Sequence, residues 1–209
     1  MKKIFPAFFL AGALLVASCS KKDESEPEPN NNNNSNEITI NSSPRYSASI
    51  DSVAYSKVEN GTTVVKGLSS TYDHPSIDTS IGNYTSNLNN PGVSTYIRLV
   101  RRGLVFTGAL PDNSIFNSYF NPASYTYTLS GTDGIKISWY DNSLQEWSTD
   151  AGTADQTGSS FTITDIKGEN TSDGYLLKIK ATFTCKLYNG SGQSKTLTSG
   201  VYVGYFGNI

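Results

Sequence analysis

Residues 175–188 alternate in character for fourteen positions without a break. Tyr175, Leu177, Ile179, Ala181, Phe183, Cys185 and Leu187 fall on one side, and Lys178, Lys180, Thr182, Thr184 and Lys186 stand on the other with Leu176 and Tyr188. A period of two sends successive side chains to opposite faces of an extended chain, so this run is a strand with one buried and one wetter face. Cys185 belongs to the apolar set and reads as a structural core thiol. Asn189, Gly190, Ser191 and Gly192 follow, residue types that tolerate the positive φ of a tight turn. Residues 195–206 then return as a second strand, completing a long C-terminal hairpin. Leu197, Val201, Val203 and Tyr205 share one parity there, with Gly200 and Gly204 as candidate bulges or points of close approach.

The same alternation recurs upstream. Tyr46, Ala48 and Ile50 form one set, and Val93, Thr95, Ile97 and Leu99 another, with residues 104–106 expected to pair nearby. Asn60-Gly61 separates Val58 from residues 62–68 and predicts a hairpin; residues 125–129, the turn 131–134, and Ile135, Ile137 and Trp139 predict a third. Phe161 and Ile163 mark a further strand. Only one segment reads as helix: Asp112 stands where a cap is needed, Ile115, Phe116, Tyr119 and Phe120 share one side, and Pro122 ends it. Tyr, Thr, Ser, Val, Ile, Gly and Asn dominate the composition, which suits strands and turns. The expected fold is all-β: an antiparallel β-sandwich, immunoglobulin-like or jelly-roll-like, of roughly 9–10 strands with at most one short helix, a barrel being the alternative.

That fold belongs to residues 37–209 alone, read as one domain. Residues 1–18 have the form of a signal peptide, with Lys2 and Lys3 ahead of an apolar run over residues 4–17, shorter than the ~20 residues a spanning helix needs. Residues 20–36 carry Lys, Asp, Glu, Pro, Ser and a run of Asn, with nothing apolar to offset the entropy of ordering. Residues 19–36 are therefore read as Cys19 followed by a disordered tether with an r.m.s. span of roughly 20–25 Å.

Val16-Ala17-Ser18-Cys19 resembles the lipobox of bacterial type II signal peptides. The resemblance implies cleavage before Cys19 and acylation of that cysteine, and two or three acyl chains hold a protein on a membrane. Residues 20–24, Ser-Lys-Lys-Asp-Glu, resemble the acidic export signals of surface lipoproteins in some Gram-negative bacteria, with two lysines placed first. The implied address is the outer membrane, lipid-anchored and facing the cell surface, with the periplasmic face as the alternative. Cleavage takes Lys2 and Lys3 away and leaves 14 basic residues against 18 acidic ones. Such a balance argues against nucleic acid as a partner, because phosphate binding needs clustered cations in excess. Arg98, Arg101 and Arg102 read as a solvated strand end.

The chemistry-bearing residues are few. His74 is the one histidine, and Cys185 the one thiol left once Cys19 is acylated, so neither a zinc site nor an internal disulfide is expected. Asp73 and His74 read as turn residues before Pro75, and no Gly-x-Ser-x-Gly elbow accompanies them. Glu59, Glu146 and Glu169 lie beside turn signals, where acids are usually solvated, although two acids brought together could act on glycosides. Asp141, Asn142, Ser143, Glu146, Asp150 and Asp155 offer oxygen ligands without the EF-hand spacing. No nucleotide loop occurs, and no cofactor, catalytic residue or metal site is assigned.

Aromatic residues flank the 141–145 turn. Trp139 shares parity with Ile135 and Ile137 and is read as core, leaving Tyr140 and Trp147 as candidate ligand-binding residues on which a sugar ring could stack. Residues 116–122, 134–137, 147–149, 158–163, 181–183 and 187–190 resemble recurrent elements of uncharacterised β-sandwich lipoproteins of Gram-negative bacteria. That resemblance implies the fold and the address and no activity. The expected function is a noncatalytic lipid-anchored cell-envelope protein with a binding or structural role, its partners the membrane through its lipid and a glycan or envelope protein. The alternative is a surface glycan-binding module using exposed aromatics; a glycoside-acting enzyme ranks below it.

Overall fold

The computed structural model describes residues 37–59, 67–88, 95–128 and 133–209. The leader, Cys19 and the tether, the Asn60-Gly61 turn with residues 62–66, Val93, Leu129 and the Gly131-Thr132 pair lie outside the described residues. The elements are β1 (Arg45–Ile50), β2 (Val53–Val58), β3 (Leu68–Ser76), β4 (Thr79–Leu88), β5 (Tyr96–Phe106), α1 (Asn113–Tyr119), β6 (Ala123–Tyr125), β7 (Gly134–Tyr140), β8 (Glu146–Ser148), β9 (Ser160–Thr171), β10 (Gly174–Tyr188) and β11 (Ser194–Asn208).

All named strand pairs are antiparallel, and they form two layers. One runs β2-β1-β11-β10 and continues through β9 to β6, and the other runs β8-β7-β5-β4-β3. The layers are stitched at one point, where Tyr188 near the far end of β10 pairs with Ser148 of β8. Elsewhere they face each other across the core: Ser86 of β4 and Tyr202 of β11 share a buried hydrogen bond of 2.6 Å. The fold is an all-β sandwich.

β10 fulfils its alternation from Ile179 onward, whereas at its start Leu176 and Lys178, expected on the wetter side, are buried as well. Leu177, Ile179, Ala181, Phe183, Cys185 and Leu187 are buried, and each large apolar side chain so removed from water contributes about 1.5–3 kcal/mol. Tyr46, Ala48 and Ile50 in β1, Ile97 and Leu99 in β5, Ile135, Ile137 and Trp139 in β7, and Phe161 and Ile163 in β9 join the same core.

β11 departs from the expected parity. Phe183 pairs with Gly200 and Cys185 with Leu197, so Thr198 and Ser199 together face Thr184. The extra residue is a bulge, with Ser199 at φ 52°. It reverses the inward set: Leu197 points to the core before it, but Tyr202 and Phe206 do so after it, in place of Val201 and Tyr205. Gly200 is required there, since a Cβ would stand 2.5 Å from the Phe183 ring.

Two other expectations are corrected. Residues 104–106 are not a separate strand; β5 runs through them, bent at Gly103 (φ 90°) where the register with β4 slips. β2 pairs with β1 and β3 with β4, and the hairpin expected across residues 60–61 involves residues 62–66, which lie outside the described residues. β6 pairs with β9, and Tyr127 meets Ile135 in an isolated parallel bridge, so β7 has no antiparallel hairpin partner before it.

α1 starts after Asp112 as expected, though the Asp112 side chain makes no capping hydrogen bond. Phe116 and Phe120 are fully buried against Tyr84 and Phe206, closing one end of the core, while Ile115 points to solvent.

Candidate binding face

β4 carries Tyr84, Ser86 and Leu88 inward, which turns Asn83, Thr85 and Asn87 outward. On β5 the same geometry sends Tyr96, Arg98, Val100 and Arg102 outward, and on β7 Lys136, Ser138 and Tyr140. Registry aligns them into rows: Asn87 opposite Arg98 and then Ser138, Thr85 opposite Val100 and then Lys136, Tyr96 opposite Tyr140. Ser69 and Thr71 of β3 extend the rows past Thr85 and Asn83. All of these side chains but Tyr96, Ser138 and Tyr140 line a groove of about 510 Å³, within the usual range for a binding site. Val100 is its only apolar lining residue.

Three cations and two carboxylates meet along this face. Asp150 sits between Lys136 (2.9 Å) and Arg102 (3.6 Å) and also accepts a hydrogen bond from Ser148. Glu146 lies 3.7 Å from Lys136 and accepts a 2.7 Å hydrogen bond from Ser138. Arg98 has no carboxylate partner among the described residues. Its Nε donates to Asn87 Oδ1 at 2.9 Å, and its guanidinium carbon stands 5.3 Å from the centre of the Tyr140 ring. One positive charge is therefore in excess, at Arg98.

The expected solvated cluster of Arg98, Arg101 and Arg102 is thus divided. Arg101 has the opposite parity and is buried, paired with Asp133 and lying over the rings of Tyr119 and Tyr125 at 3.8 and 4.7 Å. It braces the closed end of the core, whereas Arg98 and Arg102 belong to the groove.

The aromatic candidates are engaged within the protein. Trp147 is 8% exposed; its Nε1 donates to Asp141 Oδ2 at 3.1 Å and Lys195 covers its ring at 4.6 Å, so it is not the exposed platform a stacking sugar needs. Tyr140 is half-buried at the end of the groove rows, stacked on Tyr96 with ring centres 4.1 Å apart and planes 10° apart. Burial raises its phenol pKa, against the pull of Arg98. Its ring carries Arg98 rather than presenting an open face. Trp139 is core, as expected.

The other candidate residues each have protein partners. Asp73, His74 and Pro75 lie in β3, not in a turn, and β3 is an edge strand with a register slip between Asp73 and Ser76, a place that tolerates proline. His74 Nδ1 stands 2.8 Å from Ser80 Oγ, which itself donates to Gly108 O at 2.6 Å. Ser80 has one proton and spends it on that carbonyl, so Nδ1 is the donor to Oγ and does not act as its base. Asp141 accepts from the backbone of Ser143 and Gln145, and Asp155 pairs with Lys186. Among the described residues no group of three His, Cys, Asp or Glu comes together to hold a metal. Cys185 is buried, and burial pushes its thiol up to about 12, opposed by a hydrogen bond with Tyr127.

Alternation along β5 contains part of the groove in outline, but no local pattern says that Ser69, Asn87, Arg98 and Lys136 lie side by side. Those neighbours are set by strand order.

No protein-family model matches the chain, no curated protein is similar to it, and no solved structure matches its fold.

Proposed function

We propose that the chain is a noncatalytic, lipid-anchored protein of the outer membrane, tethered through Cys19 and displayed at the cell surface, and that it binds ligand on the outer face of β3, β4, β5 and β7. The single observation that carries the binding role is the groove of about 510 Å³, its Ser, Thr and Asn side chains arranged around an Arg98 that no carboxylate among the described residues neutralises. A stable fold gains little from a cation held without its counter-charge, and a polar ligand supplies one. The anchor rests on Val16-Ala17-Ser18-Cys19 and on the low-complexity tether behind it. A glycan module built on exposed aromatics is the weaker reading, since Trp147 is packed and the Tyr140 ring is covered on the inside by Tyr96 and Arg98.

Protease shaving of intact cells tests the address, with a Cys19→Ala variant as control. Loss of the domain without lysis, together with release of the variant from the membrane fraction, supports surface display through the lipid. Protection until the outer membrane is opened rejects surface display, and membrane retention of the variant rejects the anchor.

A further inference from the structure

Resting on that binding face, we propose that its ligand is a saccharide bearing a carboxylate, and that Arg98 is the residue that holds the acid group. The guanidinium is fixed before any ligand arrives: Asn87 Oδ1 takes its Nε proton at 2.9 Å, and Tyr140, itself stacked on Tyr96, lies 5.3 Å below it. With Nε engaged, the two terminal nitrogens remain for bidentate donation to a carboxylate, the strongest arrangement a guanidinium makes. A pre-set donor loses little freedom on binding.

The neighbouring charges narrow the ligand further. Arg102 and Lys136 are already matched by Asp150 and Glu146, so the groove offers one unbalanced cation and not a basic track. A densely charged polyanion such as a nucleic acid gains from many cations in series and finds one here. The remaining lining consists of Ser69, Thr71, Asn83, Thr85 and Asn87 with Val100 as the lone apolar contact, short donors and acceptors that suit hydroxyl groups. A peptide needs apolar pockets for its anchoring side chains, and this groove has none to give. Sparse acid among many hydroxyls is the chemistry of a uronic-acid oligosaccharide.

The test uses the full-length chain and a panel of tetrasaccharides that each carry one uronic acid (galacturonate, glucuronate, mannuronate or guluronate) among neutral sugars, each beside its carboxyl-reduced neutral counterpart. Calorimetric titration is expected to find at least one acid bound tenfold or more tightly than its neutral counterpart. Arg98→Gln should erase that preference at an unchanged melting temperature, and Arg98→Lys, which keeps the charge but loses the fork, should retain part of it. Equal affinity for acid and neutral partner, abolished by Thr85→Arg in the middle of the groove, overturns the acidic ligand and leaves the binding face standing. Binding that survives Thr85→Arg, or no binding by any panel member while circular dichroism stays native, overturns both.

Discussion

β10 and β5 are the spines of the two layers, and each carries three basic residues, yet they use them differently. β10 keeps its period of two from Ile179 to Tyr188, while at its start Leu176 to Ile179 are buried in succession, with Lys178 laid over the Tyr205 ring. Its inward face serves the core, and Lys180 and Lys186 keep the rest of its outward face wet. β5 breaks the pattern at its centre, where Leu99, Val100 and Arg101 are buried in succession. One of its arginines is spent inside the fold and two are held in a partly enclosed groove. A strand buried on one side is specified by packing; a strand half-covered on both sides has room for polar groups whose placement packing does not demand, and there a ligand is the economical explanation.

The contrast can be broken most forcefully through the core. Phe183→Ala on β10 removes a buried ring stacked on Phe161 and should cost about 3–5 kcal/mol, read as a lowered urea midpoint. Arg101→Met on β5 should cost about 2 kcal/mol, because it removes the Asp133 pair and two aromatic contacts while leaving Asp133 largely solvated. If Arg101→Met is neutral, the inward role of β5 is misjudged.

Alkaline titration sharpens the same comparison. The Cys185 thiol, raised from 9.0 to about 12 by burial, keeps its proton in the folded chain after the unfolded chain has released it. Its contribution to stability is complete below pH 9 and declines as pH rises from there toward 12. The chain should therefore lose stability over that window more steeply than Cys185→Val, by up to about 1.4 kcal/mol per pH unit. Identical slopes would mean that the thiol is not held in the core. The smallest effect is expected at Arg98: truncation to Ala should change stability by less than about 0.5 kcal/mol, since the side chain bonds only to Asn87 and rests on Tyr140. A large loss there would make Arg98 a structural residue like Arg101.

The core was legible where alternation held, as in β1, β7, the start of β9 and β10 from Ile179 onward, because burial of one face leaves a periodic trace. It was misread where one residue slipped. Ser199 adds a bulge to β11 that no composition signal announces, and every inward side chain beyond it changes parity. The hairpin expected around residues 131–134 failed for a different reason: a turn signal gives a reversal without naming the partner strand. The groove was only partly legible. Tyr140 was singled out for its aromatic ring, and the structure puts it on the groove's face as the support of Arg98; Arg98 was seen as one of three solvated arginines. Asn83, Thr85, Asn87 and Lys136 carried no signal, because their meaning comes from registry across four strands.

The central claim is that the outer face of β3, β4, β5 and β7 is where ligand binds. Backbone amide chemical-shift mapping of the full-length chain, titrated with the uronic-acid tetrasaccharides, tests it residue by residue. The account predicts perturbations concentrated at Thr71, Thr85, Asn87, Arg98 and Lys136, with β10 silent along Lys180 to Lys186. Perturbations centred on β10 and β11, or none at saturating oligosaccharide, would contradict it.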